Sequence, residues 1–234
     1  MTAKLKVTVF GAYGHTGKFV VRELLNRGLT PILSGRDPER LTDLVRAHPE
    51  LEARVANVES PASLKAAMAG SRAIINCAGP FLDTAVPIIE AAIDSGVHYL
   101  DVAAEQAAVL EVFERFEKDT SLAKLVIAPA MAFYGALGDL LATMAMGEWE
   151  DADEICIGIA LDSWKPTRGT RLTGERNHGR RFILSNGKLE RTDPPAGRTW
   201  NFLSPFGHQA VVPLSLSEPS PSRVTSAHRR YACS

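Results

Sequence analysis

A chain of 234 residues can bury one full core and a smaller second unit beside it. With 45% hydrophobic and 23% charged residues it is neither a disordered nor a fibrous composition. The formal net charge of −1 argues against nucleic acid and anionic membrane surfaces as partners. Three cysteines, Cys77, Cys156 and Cys233, are too few and too scattered for a disulfide framework or a zinc site. No metal is therefore expected, and the thiols suit a reducing compartment. Met1 to Lys6 lead into an apolar run without the core and cleavage site of a signal peptide, so the expected location is cytoplasmic.

In chain order, residues 7–10 (Val-Thr-Val-Phe) form a short β-branched strand that ends on Gly11-Ala12-Tyr13-Gly14-His15-Thr16-Gly17. Glycines spaced in this way between a strand and a helix mark a dinucleotide-binding turn. Gly11 permits the turn, Gly14 lets backbone N–H groups approach a pyrophosphate, and Gly17 lets the helix pack closely. The helix start then adds unpaired amides and the positive end of the dipole. Residues 18–26 place Phe19, Val20, Leu24 and Leu25 near one helical face, and Gly28 closes the helix.

Residues 30–34 read as a second strand, and 38–47 as a helix entered through Asp37 and Pro38. A third strand is expected at 54–58, followed by a helix opened by Ser60-Pro61 and closed by Gly70. Residues 73–78 are apolar on both faces, as in a central parallel strand. Helix at 85–95, strand at 98–102, helix at 106–118 and strand at 124–128 follow. This alternation predicts a Rossmann-type doubly wound parallel sheet with right-handed crossovers.

Beyond about residue 146 the pattern changes. A strand is expected within 155–161, a hairpin turning at Asn186-Gly187, and a short strand at Val211-Val212. Together they suggest a small antiparallel α+β domain. The Ser/Pro/Arg-rich residues from 216 onward lack periodicity. The expected division is 1–146 for nucleotide binding, 147–215 for a partial substrate or dimerisation domain, and 216–234 as an irregular tail.

Where NAD sites carry an acid at the end of the second strand, this chain has Ser34-Gly35-Arg36, with Ser34 or Gly35 expected to face the ribose and Arg36 just beyond. A guanidinium pairs with a ribose phosphate that a carboxylate would repel, so the pattern favours NADP, with Arg40 able to assist. Arg36 as a solvated loop residue, with Asp37 as a mere cap, is the competing account. At the end of the fourth strand, Asn76-Cys77-Ala78-Gly79-Pro80-Phe81 would turn the chain beside the coenzyme, with Asn76 in reach of ribose or nicotinamide. An ordinary strand-to-helix turn is the alternative there.

Asp101 and Glu105 follow the fifth strand and are candidates for substrate orientation or proton transfer. Glu105 equally suits a helix start. Residues 131–140 are expected as a loop; within it Tyr134 is a candidate proton donor and Asp139 a helix cap. No tyrosine is followed four residues later by lysine, so the proton relay of short-chain dehydrogenases is missing. The glycine turn also lacks the Gly-Lys-Ser/Thr ending of a P-loop, which disfavours phosphoryl transfer. The cluster Arg176, Arg180 and Arg181 fits the solvated face of a strand better than an anion site.

The glycine turn, Ser34-Gly35-Arg36, the segment from Ile75 to Phe81 and His98-Tyr99-Leu100-Asp101 together resemble the saccharopine dehydrogenase-like oxidoreductases, specifically their NADP-binding domain. The glycine turn alone is shared with other families, NmrA-like proteins among them. The resemblance runs from the start to about Leu140. Ala104 stands where the family tends to have Gly, and Asn57 where it tends to have Asp. Family members are usually longer, with a fuller second domain.

The resemblance implies an NADP-dependent oxidoreductase acting on a small carbonyl, imine or related substrate held between two domains. A homodimer through the second domain would be compatible with it. The alternative is a non-catalytic NADP-binding sensor.

Overall fold

The computed structural model describes residues 5–119, 122, 124–149, 152, 155–163, 165–176, 182–185, 188–191 and 197–211. Its internal contacts divide the chain into two units. One comprises Met1–Ala103 with Glu111–Met131, the other Ala104–Leu110 with Ala132–Ser234.

The first unit is built on six parallel strands: β1 (Lys6–Phe10), β2 (Thr30–Gly35), β3 (Glu52–Val55), β4 (Ala73–Asn76), β5 (His98–Asp101) and β6 (Ile127–Ala128). Their spatial order is β3-β2-β1-β4-β5-β6. The order reverses between β1 and β4, which defines the Rossmann-type doubly wound sheet and its switch point. Pro31 is tolerated in β2 because it pairs only with Val7 of β1. The ladder to β3 starts one residue later, at Ile32.

Between the strands run α1 (His15–Asn26), α2 (Pro38–Ala47), α3 (Pro61–Met68), α4 (Phe81–Ser95) and α5 (Gln106–Phe116). The period of two in the strands sends alternate residues to two cores. Val7, Val9 and Leu33 meet Val21 and Leu24 of α1 and Leu41 and Leu44 of α2. Phe10, Ile74 and Tyr99 meet Leu64 of α3, Ile88 and Ile89 of α4 and Val112 of α5. Thr8, at 0% exposure, is the polar exception: its hydroxyl donates to the Ala67 carbonyl at 3.1 Å and lies 2.7 Å from that of Ser71.

Several boundaries shift from the sequence expectation. β3 starts earlier, at Glu52, and the apolar run before residue 128 supplies only two paired residues. α1 begins at His15, and α4 at Phe81 directly after Pro80. In both, the helix takes over turn residues because its first amides need no intrahelical partner.

In the second unit, residues 131–140 are not a loop. A π-helical turn (Phe133–Leu137) runs straight into α6 (Gly138–Met146). α7 (Arg168–Arg176) follows, so Arg176 ends a helix rather than lying on a strand. Arg180 and Arg181 lie outside the described residues. No strand forms over 155–161.

Two antiparallel hairpins complete the unit. β7 (Phe182–Ser185) pairs with β8 (Lys188–Arg191), and β9 (Arg198–Asn201) with β10 (His208–Val211). Ser185 stands opposite Lys188; Asn186 and Gly187, where the turn is expected, lie outside the described residues. Val212 and the residues from 216 onward lie outside them too. Among the described residues no helix is long and apolar enough to cross a membrane.

Ile88, fully buried on α4, anchors the second core. Ile88→Ala should lower the unfolding free energy by about 2–5 kcal/mol, measured by denaturant titration.

Candidate dinucleotide site at the switch point

The exits of β1, β2 and β4 are stitched into one edge by main-chain bonds. The N–H groups of Gly11 and Ala12 donate to the Ser34 carbonyl at 2.8 and 3.1 Å, and that of Cys77 donates to the Phe10 carbonyl at 2.8 Å. Gly11 has φ +80°, the left-handed region that favours glycine. A Cβ there would sit 3.0 Å from the Ala78 Cβ. At Gly17 a Cβ would run into the Gly11 carbonyl oxygen and stand 2.9 Å from the Ala12 Cα. Glycine at 17 is therefore what lets α1 start directly against the strand exit.

That helix start is open. Gly14 is its N-cap and offers no side-chain bond, and the first turn holds no acid. By contrast, Asp37 accepts the Arg40 N–H at 3.1 Å at the start of α2, and Ser60 accepts that of Ser63 at 3.4 Å at the start of α3. The first amides of α1, His15 to Gly17, thus point outward with the dipole behind them, an arrangement that suits phosphate. A cradle that a Cβ would fill and an uncapped helix end together fit a pyrophosphate.

At the end of β2 the three sequence candidates separate. Ser34 is fully buried, and its hydroxyl donates to the Arg54 carbonyl at 2.9 Å, so it does not face a ribose. Gly35 lies under the Tyr13 ring: a Cβ there would be 2.6 Å from Tyr13 Cε1. Arg36 is exposed and has no ion pair, hydrogen bond or ring contact among the described residues. Asp37 caps α2. The one guanidinium in the segment is thus available, and its one carboxylate is engaged.

At the end of β4 the side chains form a buried chain of hydrogen bonds. Asn76, at 0% exposure, donates through Nδ2 to Thr84 Oγ1 at 3.0 Å and to Tyr99 Oη at 3.3 Å, and its Oδ1 accepts the Ala78 N–H at 3.0 Å. Thr84 donates to the Ala78 carbonyl at 2.7 Å. Both amide protons of Asn76 are therefore engaged in shaping the turn from Cys77 to Pro80 rather than aimed at a ribose. The Gly79–Pro80 peptide is cis.

Tyr99 carries the chain onward, donating to Asp101 Oδ2 at 2.8 Å. Burial and the Asp101 charge hold its phenol well above the usual range, so it stays a donor. Asp101 Oδ1 accepts the N–H groups of Ala103 at 2.9 Å and Ala130 at 2.7 Å. Ala130 has φ +58°, a conformation costing a non-glycine residue about 1–2 kcal/mol, and this bond offsets it. Asp101 thus ties the exits of β5 and β6 together, and a direct proton-transfer role is not what its geometry favours.

In the second unit Glu105, also fully buried, accepts the Thr173 hydroxyl at 3.0 Å. Tyr134 falls in the π-helical turn, and its side chain lies outside the described residues. Sequence reasoning missed Thr84 and the linking part of Tyr99. The signal for Tyr99 was its strand parity with Asp101. Thr84 left none, since only the fold brings α4 back over the end of β4.

The arrangement defines a dinucleotide-binding domain at the switch point of an open α/β sheet. Residues 7–123, half of the chain, match the model of the saccharopine dehydrogenase NADP-binding domain, and the chain belongs to that family. Its coenzyme is accordingly NADP.

A relative from Arabidopsis thaliana, named a probable mitochondrial saccharopine dehydrogenase-like oxidoreductase, is 36% identical over 126 residues. The match covers 47% of this chain and 27% of that protein. A saccharopine dehydrogenase-like oxidoreductase of Bos taurus is 24% identical over 152 residues, covering 57% and 35%. The chain thus spans well under half the length of either relative. Among solved structures, the Citrobacter sp. triphenylmethane reductase complexed with NADP(H) is 27% identical, with a TM-score of 0.38 over 43% of this chain and 38% of that one.

Of the two departures from the family pattern, the one at Asn57 has a local substitute. Asn57 accepts the Glu59 N–H at 3.2 Å through Oδ1, keeping the turn into α3 without an acid.

Cys77 lies in the turn itself. Burial, with the Asp101 charge adding, pushes its thiol from an ordinary 9.0 up to about 12. A raised thiol pKa favours the folded state below about 9, and that contribution is lost as pH rises towards 12. Cys77→Ala should therefore flatten the fall in stability over this alkaline window, read by denaturant titration at several pH values.

Proposed function

We propose that the protein is an NADP(H)-dependent oxidoreductase of the saccharopine dehydrogenase-like type, working on a small carbonyl, imine or related substrate. The observation that supports it most is the unpaired, exposed Arg36 at the end of β2, where an NAD site would place a carboxylate. The coenzyme phosphates are assigned to the turn Gly11, Ala12, Tyr13, Gly14, His15, Thr16 and Gly17, and the 2′-phosphate to Arg36. Cys77, Ala78, Gly79 and Pro80 shape the nicotinamide end through their backbone, with Asn76 holding them in place. When bound, the coenzyme supplies hydride transfer; the protein's share is positioning and electrostatics.

For proton transfer the candidates are Glu105 and Tyr134; Asp101, whose oxygens hold the backbone after β5 and β6, takes a positioning part instead. A regulatory NADP sensor is the second reading, favoured by Asp101 having both oxygens bound to backbone and phenol. NADPH binding without oxidation across a carbonyl and imine panel would favour the sensor.

A homodimer through the second unit is proposed on the exposed apolar stripe of Phe133, Leu137, Leu140, Leu141 and Met144, each between 41% and 78% exposed. Their spacing keeps them near one helical face. Light scattering should give twice the chain mass, and Met144→Asp should return it to the monomer; a monomeric parent protein overturns the proposal.

For the coenzyme, fluorescence titration of Arg36→Ala should show NADPH weakened by about 10–100-fold, as for a lost charge-assisted bond, and NADH by less than about twofold. Equal losses would remove the 2′-phosphate from Arg36.

A further inference from the structure

Tyr13 belongs to the phosphate turn, yet its side chain contacts the β2–α2 segment on both sides of Arg36. Its ring covers Gly35. Its hydroxyl accepts the Asp37 N–H at 3.2 Å. The Arg40 guanidinium carbon stands 4.4 Å from the ring centroid, and Arg40 Nη2 donates to the Tyr13 carbonyl at 3.4 Å. The Tyr13 side chain therefore bears on residues 35, 37 and 40 at once, while Arg36, between 35 and 37, is left unengaged among the described residues.

An exposed arginine has several long rotamers, and ordering it on an anion costs side-chain entropy. A guanidinium stacked on an aromatic face has lost much of that freedom beforehand, and the stack leaves its edge N–H groups directed outward. Asp37 does not compete for Arg40 as an ion pair. Its Oδ1 accepts the Arg40 backbone N–H, and the salt bridges found among the described residues do not include this pair. The nearest other acid in the first turn of α2 is Glu39, an exposed side chain.

We propose that Tyr13 is the positioning residue of coenzyme selection. By holding Arg40 beside Arg36 it makes the β2–α2 turn a site for a ribose 2′-phosphomonoester. This rests on the NADP reading above and assigns Tyr13 and Arg40 a shared part in it. The Tyr13 ring contributes to discrimination through Arg40, not by touching the 2′-phosphate.

The test compares 2′,5′-ADP with ADP by calorimetric titration of the full chain, so that neither nicotinamide nor activity enters. Tyr13→Leu should weaken 2′,5′-ADP by about tenfold, the size of one charge-assisted contact, and ADP by less than about twofold. Tyr13→Phe keeps the ring and should retain the preference within about twofold. Arg40→Ala should match Tyr13→Leu, and the double variant should be no worse than either alone.

Equal weakening of both ligands by Tyr13→Leu would show a merely structural ring and overturn the proposal. Additive losses in the double variant would overturn it as well. If the parent protein itself binds 2′,5′-ADP no tighter than ADP, the NADP reading falls with it. If the parent discriminates and Tyr13→Leu still does, only the role of Tyr13 falls.

Discussion

The start of α1 pressed against the exit of β1 is the constraint on which the coenzyme half depends. With no side chain at position 17, the helix begins where a Cβ would meet the Gly11 carbonyl. That approach fixes where the open amides lie relative to the sheet edge. It also places the glycine turn against β4, since Gly11 in turn lies close to Ala78. Moving the helix outward by the width of a methyl group would displace its open first amides and loosen the packing of Val21 and Leu24 against Val9 and Leu33. Fold and binding geometry are thus set by the same close contact.

Polar order at the opposite side of the switch point is achieved differently. There, Thr84, Asn76, Tyr99 and Asp101 form a buried relay of donors and acceptors from α4 to the exits of β5 and β6. Each member satisfies a neighbour, which is the condition under which a buried polar network rigidifies rather than destabilises. The raised phenol and thiol of Tyr99 and Cys77 follow from the same water-poor setting. Backbone turns, not side chains, are what this half of the edge presents.

Much of this was legible in the chain because the signals were local. The strand–glycine–helix run, the Asp37-Pro38 and Ser60-Pro61 helix starts and the apolar strand at 73–76 each carry their cause within a few residues. Long-range partners were harder. Ser34 and Asn76 were expected to face the coenzyme, but their polar atoms bond Arg54, Thr84 and Tyr99, which only tertiary pairing brings near. The π-helical turn into α6 was missed because Gly135 and Gly138 suggest a loop, although both are buried there.

The Tyr13 ring over Gly35 also bears on how such a site can change over generations. A carboxylate at position 35 would be a short route from a phosphorylated to an unphosphorylated coenzyme. Yet any side chain there meets the ring at 2.6 Å. An acid at 35 becomes admissible only after Tyr13 has been replaced or moved, and replacing Tyr13 first frees Arg40. Positions 35 and 40 are therefore coupled through one ring: whatever is added at 35 acts on the Arg40 stack as well.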